Sequence, residues 1–368
     1  MILNKYRIRF EKSLIQRINA FLLDTLGLPF VFFNQSRPKE IKKILIIRKD
    51  EIGDIVLSIP IYEAIKTKYP GAEIVVLCSR LTSEILKNNP YVDRIIKIDD
   101  FLDNEKLNLY TLIKCIKKEE FDIGIDPKGS IVNILIMYFA GIKQRISYYN
   151  VSGGKFLLTD HVFYERQIHE IEANLELLKP IGINRKVFFP KIYLTNEEEK
   201  HVRGLVKKAR LKKFVLVYSI PSKRCKEWSL ANFNKLVKLF PKINFLFTGI
   251  EKDRTQIEKI IQENKNCASL YDYNLRKLSY LASLAEAIVA VDGGPMHLSW
   301  IANKKTISLF GQNDIELWRP LNKGRVISHL PESEQGLNRR KLYLNEENKY
   351  MNMINVEEVA KVLRGKLK

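Results

Sequence analysis

The chain has 368 residues, 46% of them hydrophobic and 28% charged, which allows two ordinary domains and excludes a disordered or fibrous protein. Lysine and arginine total 62 against 42 acidic residues, and this formal charge of +20 calls for an anionic partner: nucleic acid, an anionic membrane or a phosphorylated substrate. Cys78, Cys115, Cys225 and Cys267 form no CxxC pair and the five histidines no HxxxH or HExxH spacing, so no metal is expected and the thiols read as reduced.

Residues 1–38 differ from the rest. Phe10, Leu14, Ile18, Phe21 and Leu22 recur at helical spacing beside Lys5, Arg7, Arg9, Lys12 and Arg17. This predicts a basic amphipathic helical extension, either lying in a membrane interface or packed on the protein body. Its most apolar stretch, 18–33, is broken by Asn19, Asp24 and Pro29, so neither a membrane span nor a signal peptide is expected, and the protein should stay in the cytoplasm.

From Ile41 the pattern becomes strand–helix alternation. Strands are predicted at Ile44–Ile47, Glu73–Cys78, Arg94–Ile98 and Phe121–Asp126, and helices at Ile55–Thr67 (with Pro60 near its start), Thr82–Asn88 and Leu107–Glu119. The alternation restarts beyond the stretch from Pro180 to Pro190. Phe214–Tyr218, Asn244–Thr248, Ala287–Val291 and Thr306–Phe310 read as strands, Leu230–Phe240 and a segment beginning near Pro295 as helices, and Val356–Leu363 as a closing helix. Such alternation predicts α/β units with parallel sheets, hence two Rossmann-like domains facing a cleft. The expected divisions are 1–38, 39–185, 186–345 and 346–368.

Two strand-to-helix turns carry the chemistry. Ligands of open α/β sheets bind beyond the carboxyl ends of the strands, where the loop Arg48-Lys49-Asp50-Glu51-Ile52-Gly53-Asp54 falls. Gly53 can supply a tight turn and Asp54 equally suits a helix cap. The loop is not GxGxxG, which argues against an ordinary dinucleotide dehydrogenase. In the second half, Val291-Asp292-Gly293-Gly294-Pro295-Met296-His297-Leu298 places glycines and a proline at a helix start, whose free amides can hold a diphosphate without metal.

These segments resemble glycosyltransferase family 9, the lipopolysaccharide heptosyltransferases. The likeness begins with Ile44 to Arg48, Ile52-Gly53-Asp54, Pro60 and Tyr69 to Ile74. It continues through Phe121 to Ser130, Gly153 to Thr159, His169-Glu170 and Asn174-Leu175. Further on, Lys226-Glu227-Trp228, the Asp292 block, Thr306 to Gly311 and Trp318 follow in the family's order, over about residues 42 to 325. It departs in the N-terminal extension, in the acidic pair Asp50-Glu51 and around Gln312 to Asp314.

The resemblance implies a GT-B fold and an inverting, metal-independent glycosyltransferase with no cofactor. By the match, Asp54 is the base for the acceptor hydroxyl and Lys226 meets the donor diphosphate. Ser219, Glu251, Asp292, Gly293, Gly294, Pro295, Met296 and His297 fall on the donor side, with Glu251 suited to a ribose diol, and Gly53 and Lys128 on the acceptor side. The implied donor is a nucleotide sugar, ADP-heptose foremost. The implied acceptor is lipopolysaccharide or a related lipid-linked saccharide, met at the anionic cytoplasmic face of the inner membrane. His169 receives no catalytic role. Use of another nucleotide sugar, a nucleotide-sugar epimerase on the same plan, and a basic membrane- or nucleic-acid-associated binding protein are the alternatives. The last is disfavoured because no basic patch interleaves with aromatics, so no nucleic-acid partner is expected.

Overall fold

The computed structural model describes residues 37–165, 168–184, 189–271, 273–321, 324–332 and 348–368. The expected amphipathic extension therefore lies, up to residue 36, outside the described residues, as does the expected division at 345/346. The chain forms two compact units, one ending at Pro190 and the other beginning at Lys191.

The first unit holds strands β1 (Lys43–Ile47), β2 (Glu73–Cys78), β3 (Arg94–Lys97), β4 (Ile123–Asp126), β5 (Gln144–Tyr148) and β6 (Asp160–Val162). They run parallel in the order β3-β2-β1-β4-β5-β6, with Leu45 beside Val75 on one side and Gly124 on the other. Helices α1 (Ile52–Lys68), α2 (Arg80–Leu86), α3 (Leu109–Lys118), α4 (Ile131–Phe139) and α5 (Glu170–Glu176) accompany the sheet. Ile44, Leu45, Ile46 and Ile47 are all fully buried, as expected of a strand covered on both faces. Each such side chain contributes about 1.5–3 kcal/mol through burial.

The second unit repeats the order. Strands β7 (Phe214–Tyr218), β8 (Asn244–Thr248), β9 (Cys267–Leu270), β10 (Ala287–Val291), β11 (Thr306–Phe310) and β12 (Arg325–Ser328) run parallel as β9-β8-β7-β10-β11-β12. Its longer helices are α6 (Asn196–Lys208), α7 (Leu230–Lys238), α8 (Arg254–Glu263), α9 (Leu275–Leu284), α10 (Gly294–Ala302) and α11 (Val356–Leu367). Both sheets thus have the doubly wound Rossmann order, with a switch point between the first and fourth strands of each. The closing helix α11 buries Val359, Ala360 and Leu363 in the core that holds Val215, Val217 and Trp228.

Helix α1 starts earlier than the sequence suggests. α1 begins at Ile52, so Pro60 lies inside the helix and Gly53 in its first turn instead of in a turn before it. The cause is local: the Asp54 carboxylate accepts the Glu51 N–H at 3.3 Å and so satisfies a donor at the helix start. Pro60 has no N–H to give the preceding turn. Nearby, Asn174 Nδ2 donates to the Leu57 carbonyl at 3.2 Å, which ties α5 to α1. Among the described residues, no helix is long and apolar enough to cross a membrane.

Candidate functional site

In the first unit the site grows from the end of β1. Arg48 follows the strand and is fully buried. Its guanidinium reaches three carboxylates: Nη2 lies 3.1 Å from Asp54 Oδ1 and 3.3 Å from Glu170 Oε1, and Nη1 lies 3.4 Å from Asp50 Oδ2. Nε also donates to the Asp54 carbonyl at 3.2 Å. Glu170 is buried too, and its Oε2 accepts the Tyr164 hydroxyl at 2.8 Å. A buried cation is tolerated only with such compensation, and the forked guanidinium serves several oxygens at once.

Asp54 is the third residue of α1, and its side chain is 19% exposed while Arg48 is sealed. It does act at the helix start, as the capping alternative holds. A carboxylate oxygen has two lone pairs, so one hydrogen bond to each oxygen leaves capacity for a hydroxyl. Lys128 stands after β4, the strand next to β1, and pairs with Asp50. Its turn is shaped by Asp126, which accepts the N–H of Lys128 at 3.1 Å and of Ser130 at 2.8 Å. Gly129 has φ +69°, and a Cβ there would lie 2.7 Å from Val151 Cβ, so only glycine fits. Burial pushes the Lys49 ammonium below its ordinary value, against the opposing pull of Asp126. His169 caps α5, its Nδ1 accepting the Ile171 N–H at 3.2 Å.

In the second unit the candidate site lies at the ends of β7, β10 and β11. Asp292 follows β10, is 3% exposed, and its N–H donates to the Leu309 carbonyl at 3.0 Å. Lys226, on the loop after β7, brings Nζ to 3.0 Å from Asp292 Oδ2. Trp228 anchors that loop: fully buried, it donates from Nε1 to the Ile354 carbonyl at 2.8 Å. Asn313, on the turn after β11, donates its amide to the same Asp292 oxygen. Ser219, at the end of β7, is buried with no partner for its hydroxyl among the described residues.

The helix α10 starts at Gly294 with Pro295 in its first turn. Gly293 is extended, with φ 166°, and a Cβ there would meet only Pro295 Cδ at 3.9 Å, so it borders open space. Met296 and His297 are buried. Trp300 Nε1 donates to His297 Nδ1 at 3.2 Å. An indole nitrogen can only donate, so Nδ1 is unprotonated and the neutral ring carries its proton on Nε2. Glu251 lies apart from this group in character: it is exposed and ion-paired with Arg254 at 2.6 Å, whose guanidinium sits 4.2 Å from the centroid of the Tyr271 ring.

Within the second unit the structure brings Lys226 and Asp292 together, and within the first it couples Asp54 and Lys128 through Arg48 and Asp50. Sequence reasoning missed Asn313, Trp300 and the grip of Arg48 and Glu170 on the acidic loop. Only the departure around Gln312 to Asp314 hinted at the first.

The model of glycosyltransferase family 9 (heptosyltransferase) matches residues 109–348, more than half of the chain. The lipopolysaccharide heptosyltransferase 3 of Escherichia coli is 24% identical over 288 residues, covering 74% of this chain and 85% of the relative. Among solved structures, a family 9 glycosyltransferase from Veillonella parvula superposes with a TM-score of 0.79 at 16% identity, covering 90% of this chain and 99% of that one. The Escherichia coli ADP-heptose lipopolysaccharide heptosyltransferase II gives 0.70 at 20% identity, covering 88% and 98%. These likenesses carry the two-unit fold.

Proposed function

The chain belongs to glycosyltransferase family 9, and from that premise we propose that it moves heptose from ADP-heptose onto a lipopolysaccharide core or related lipid-linked saccharide. The transfer would invert the anomeric centre and need no metal. Support for the donor and the pathway comes from the names of its relatives, an ADP-heptose heptosyltransferase among them.

The observation that carries the reading is the buried Lys226–Asp292 pair, 3.0 Å apart, with Asp292 two residues before the start of α10. A diphosphate held at the α10 N-terminus would meet unpaired N–H groups and the positive end of the helix dipole. Lys226 would stabilise charge on the departing diphosphate, which is where such a transition state gathers it. His297 Nε2–H adds a neutral donor. Asp292 suits sugar hydroxyls, and Ser219 and Glu251 suit the ribose.

Asp54 is the proposed base. An attacking sugar hydroxyl loses its proton as the new bond forms. An oxocarbenium-like displacement asks little of its base, so a carboxylate suffices. Lys128, beside Asp50, would meet anionic groups of the acceptor. The excess of basic residues would draw the protein to the anionic cytoplasmic face of the inner membrane.

The test is incubation with ADP-heptose and heptose-deficient lipopolysaccharide in chelator, read by mass spectrometry and by the anomeric configuration of the product. A heptosylated product of inverted configuration supports the reading. Retained configuration, or a strict metal requirement, overturns the mechanism.

A further inference from the structure

Asn313 is 6% exposed, and its amide donates to Asp292 Oδ2, the oxygen that Lys226 Nζ meets at 3.0 Å. The turn that carries it is built against the lysine's own loop. A Cβ at Gly311 would lie 2.9 Å from Met351 Cγ and 3.1 Å from the Cys225 carbonyl oxygen, so the absent side chain lets the two loops meet. One carboxylate oxygen is therefore shared between a buried ammonium and a buried amide.

A diphosphate arriving at the α10 N-terminus competes with Asp292 for that ammonium. A carboxylate deprived of its cation in a buried place is heavily penalised unless other donors remain on it. The Asn313 amide is such a donor. Being neutral, it steadies Asp292 without rivalling the diphosphate for charge.

We propose that Asn313 is a positioning residue that holds the Asp292 carboxylate while Lys226 turns to a nucleoside diphosphate. This rests on the donor-site reading above and extends it to a residue that reading does not require. Replacing Asn313 by alanine leaves Asp292 more dependent on Lys226, so the ammonium is harder to release. Replacing it by aspartate keeps the volume, adds a second carboxylate and holds the ammonium tighter still.

The experiment is calorimetric titration with ADP and with adenosine, which has no phosphates. The proteins are the unsubstituted chain, Asn313→Ala, Asn313→Asp, Lys226→Met and the double variant Asn313→Ala/Lys226→Met. The expected result is a loss in ADP affinity of about tenfold for Asn313→Ala, the scale of one hydrogen bond to a charged group, and a larger loss for Asn313→Asp. Adenosine affinity should stay constant, and Asn313→Ala should have no further effect once Lys226 is methionine. Equal losses for ADP and adenosine would mark a merely structural role, and additive losses in the double variant would mark independent action; either overturns the proposal. Failure of the unsubstituted chain to bind ADP more tightly than adenosine would overturn the donor-site reading itself, and this inference with it.

Discussion

Arg48 Nη2 stands 3.1 Å from Asp54 Oδ1, a fully buried guanidinium holding a carboxylate that is itself partly open to solvent. The arginine is sealed by the fold, so it fixes the direction of the acid without itself being available to an incoming molecule. Removing either partner should have opposite kinds of consequence.

Arg48→Met should destabilise the first unit by about 3–5 kcal/mol, because Asp50, Asp54 and Glu170 would lose their shared cation. Urea unfolding at pH 7 reads this directly. An unchanged midpoint would mean that the three acids find other partners.

Asp54→Asn should change stability by only about 1 kcal/mol, the scale of a helix-start contact. Transfer should fall by about 10²–10⁴, the usual contribution of a positioned base, with ADP affinity unchanged. Steady-state transfer rates and ADP titration separate the two effects. Normal turnover would remove Asp54 from the chemistry.

His297 should carry its proton on Nε2 at pH 7, because Trp300 Nε1 occupies Nδ1 at 3.2 Å. Nitrogen-15 NMR of the labelled protein distinguishes the tautomers. Trp300→Phe should mix them and weaken ADP binding by about 3–10-fold, the worth of one modest hydrogen bond. A proton found on Nδ1 in the unsubstituted protein would contradict the donor role given to Nε2.

Asp122 gives a pH-dependent prediction. Burial acts to raise its pKa, but Lys143 and the N–H groups of Lys42 and Lys43 outweigh it and hold the carboxyl below its ordinary value. A carboxyl depressed by folding contributes stability above its unfolded pKa and loses it as the pH falls through the folded one. Asp122→Asn should therefore lower the urea midpoint at pH 7, with the gap closing below about pH 4, near the unfolded value. A gap independent of pH would assign Asp122 a role other than its charge.

Much of the architecture is legible in the sequence because its central strands are continuous apolar runs, as at Ile44–Ile47 and Phe214–Tyr218. β5 is not legible, since Gln144, Arg145 and Ser147 look like loop residues. The fold buries them by giving each a partner: Gln144 bonds Asp160, Arg145 bonds the carbonyls of Ile142 and Leu157, and Ser147 bonds Asp126. The candidate site divides in the same way. Asp54, Lys226 and Asp292 lie in motifs and were visible by resemblance, whereas Asn313 meets Asp292 only because β10 and β11 are neighbours in the sheet. No local spacing encodes that meeting.

The most direct test of the account is calorimetric titration of ADP, without metal, into the unsubstituted protein, Lys226→Met and Asp54→Asn. The account predicts tight binding that Lys226→Met weakens strongly, toward that of adenosine, and that Asp54→Asn keeps, placing diphosphate recognition on the second unit and catalysis on the first. An ADP affinity left unchanged by Lys226→Met, or lost with Asp54→Asn, would contradict it.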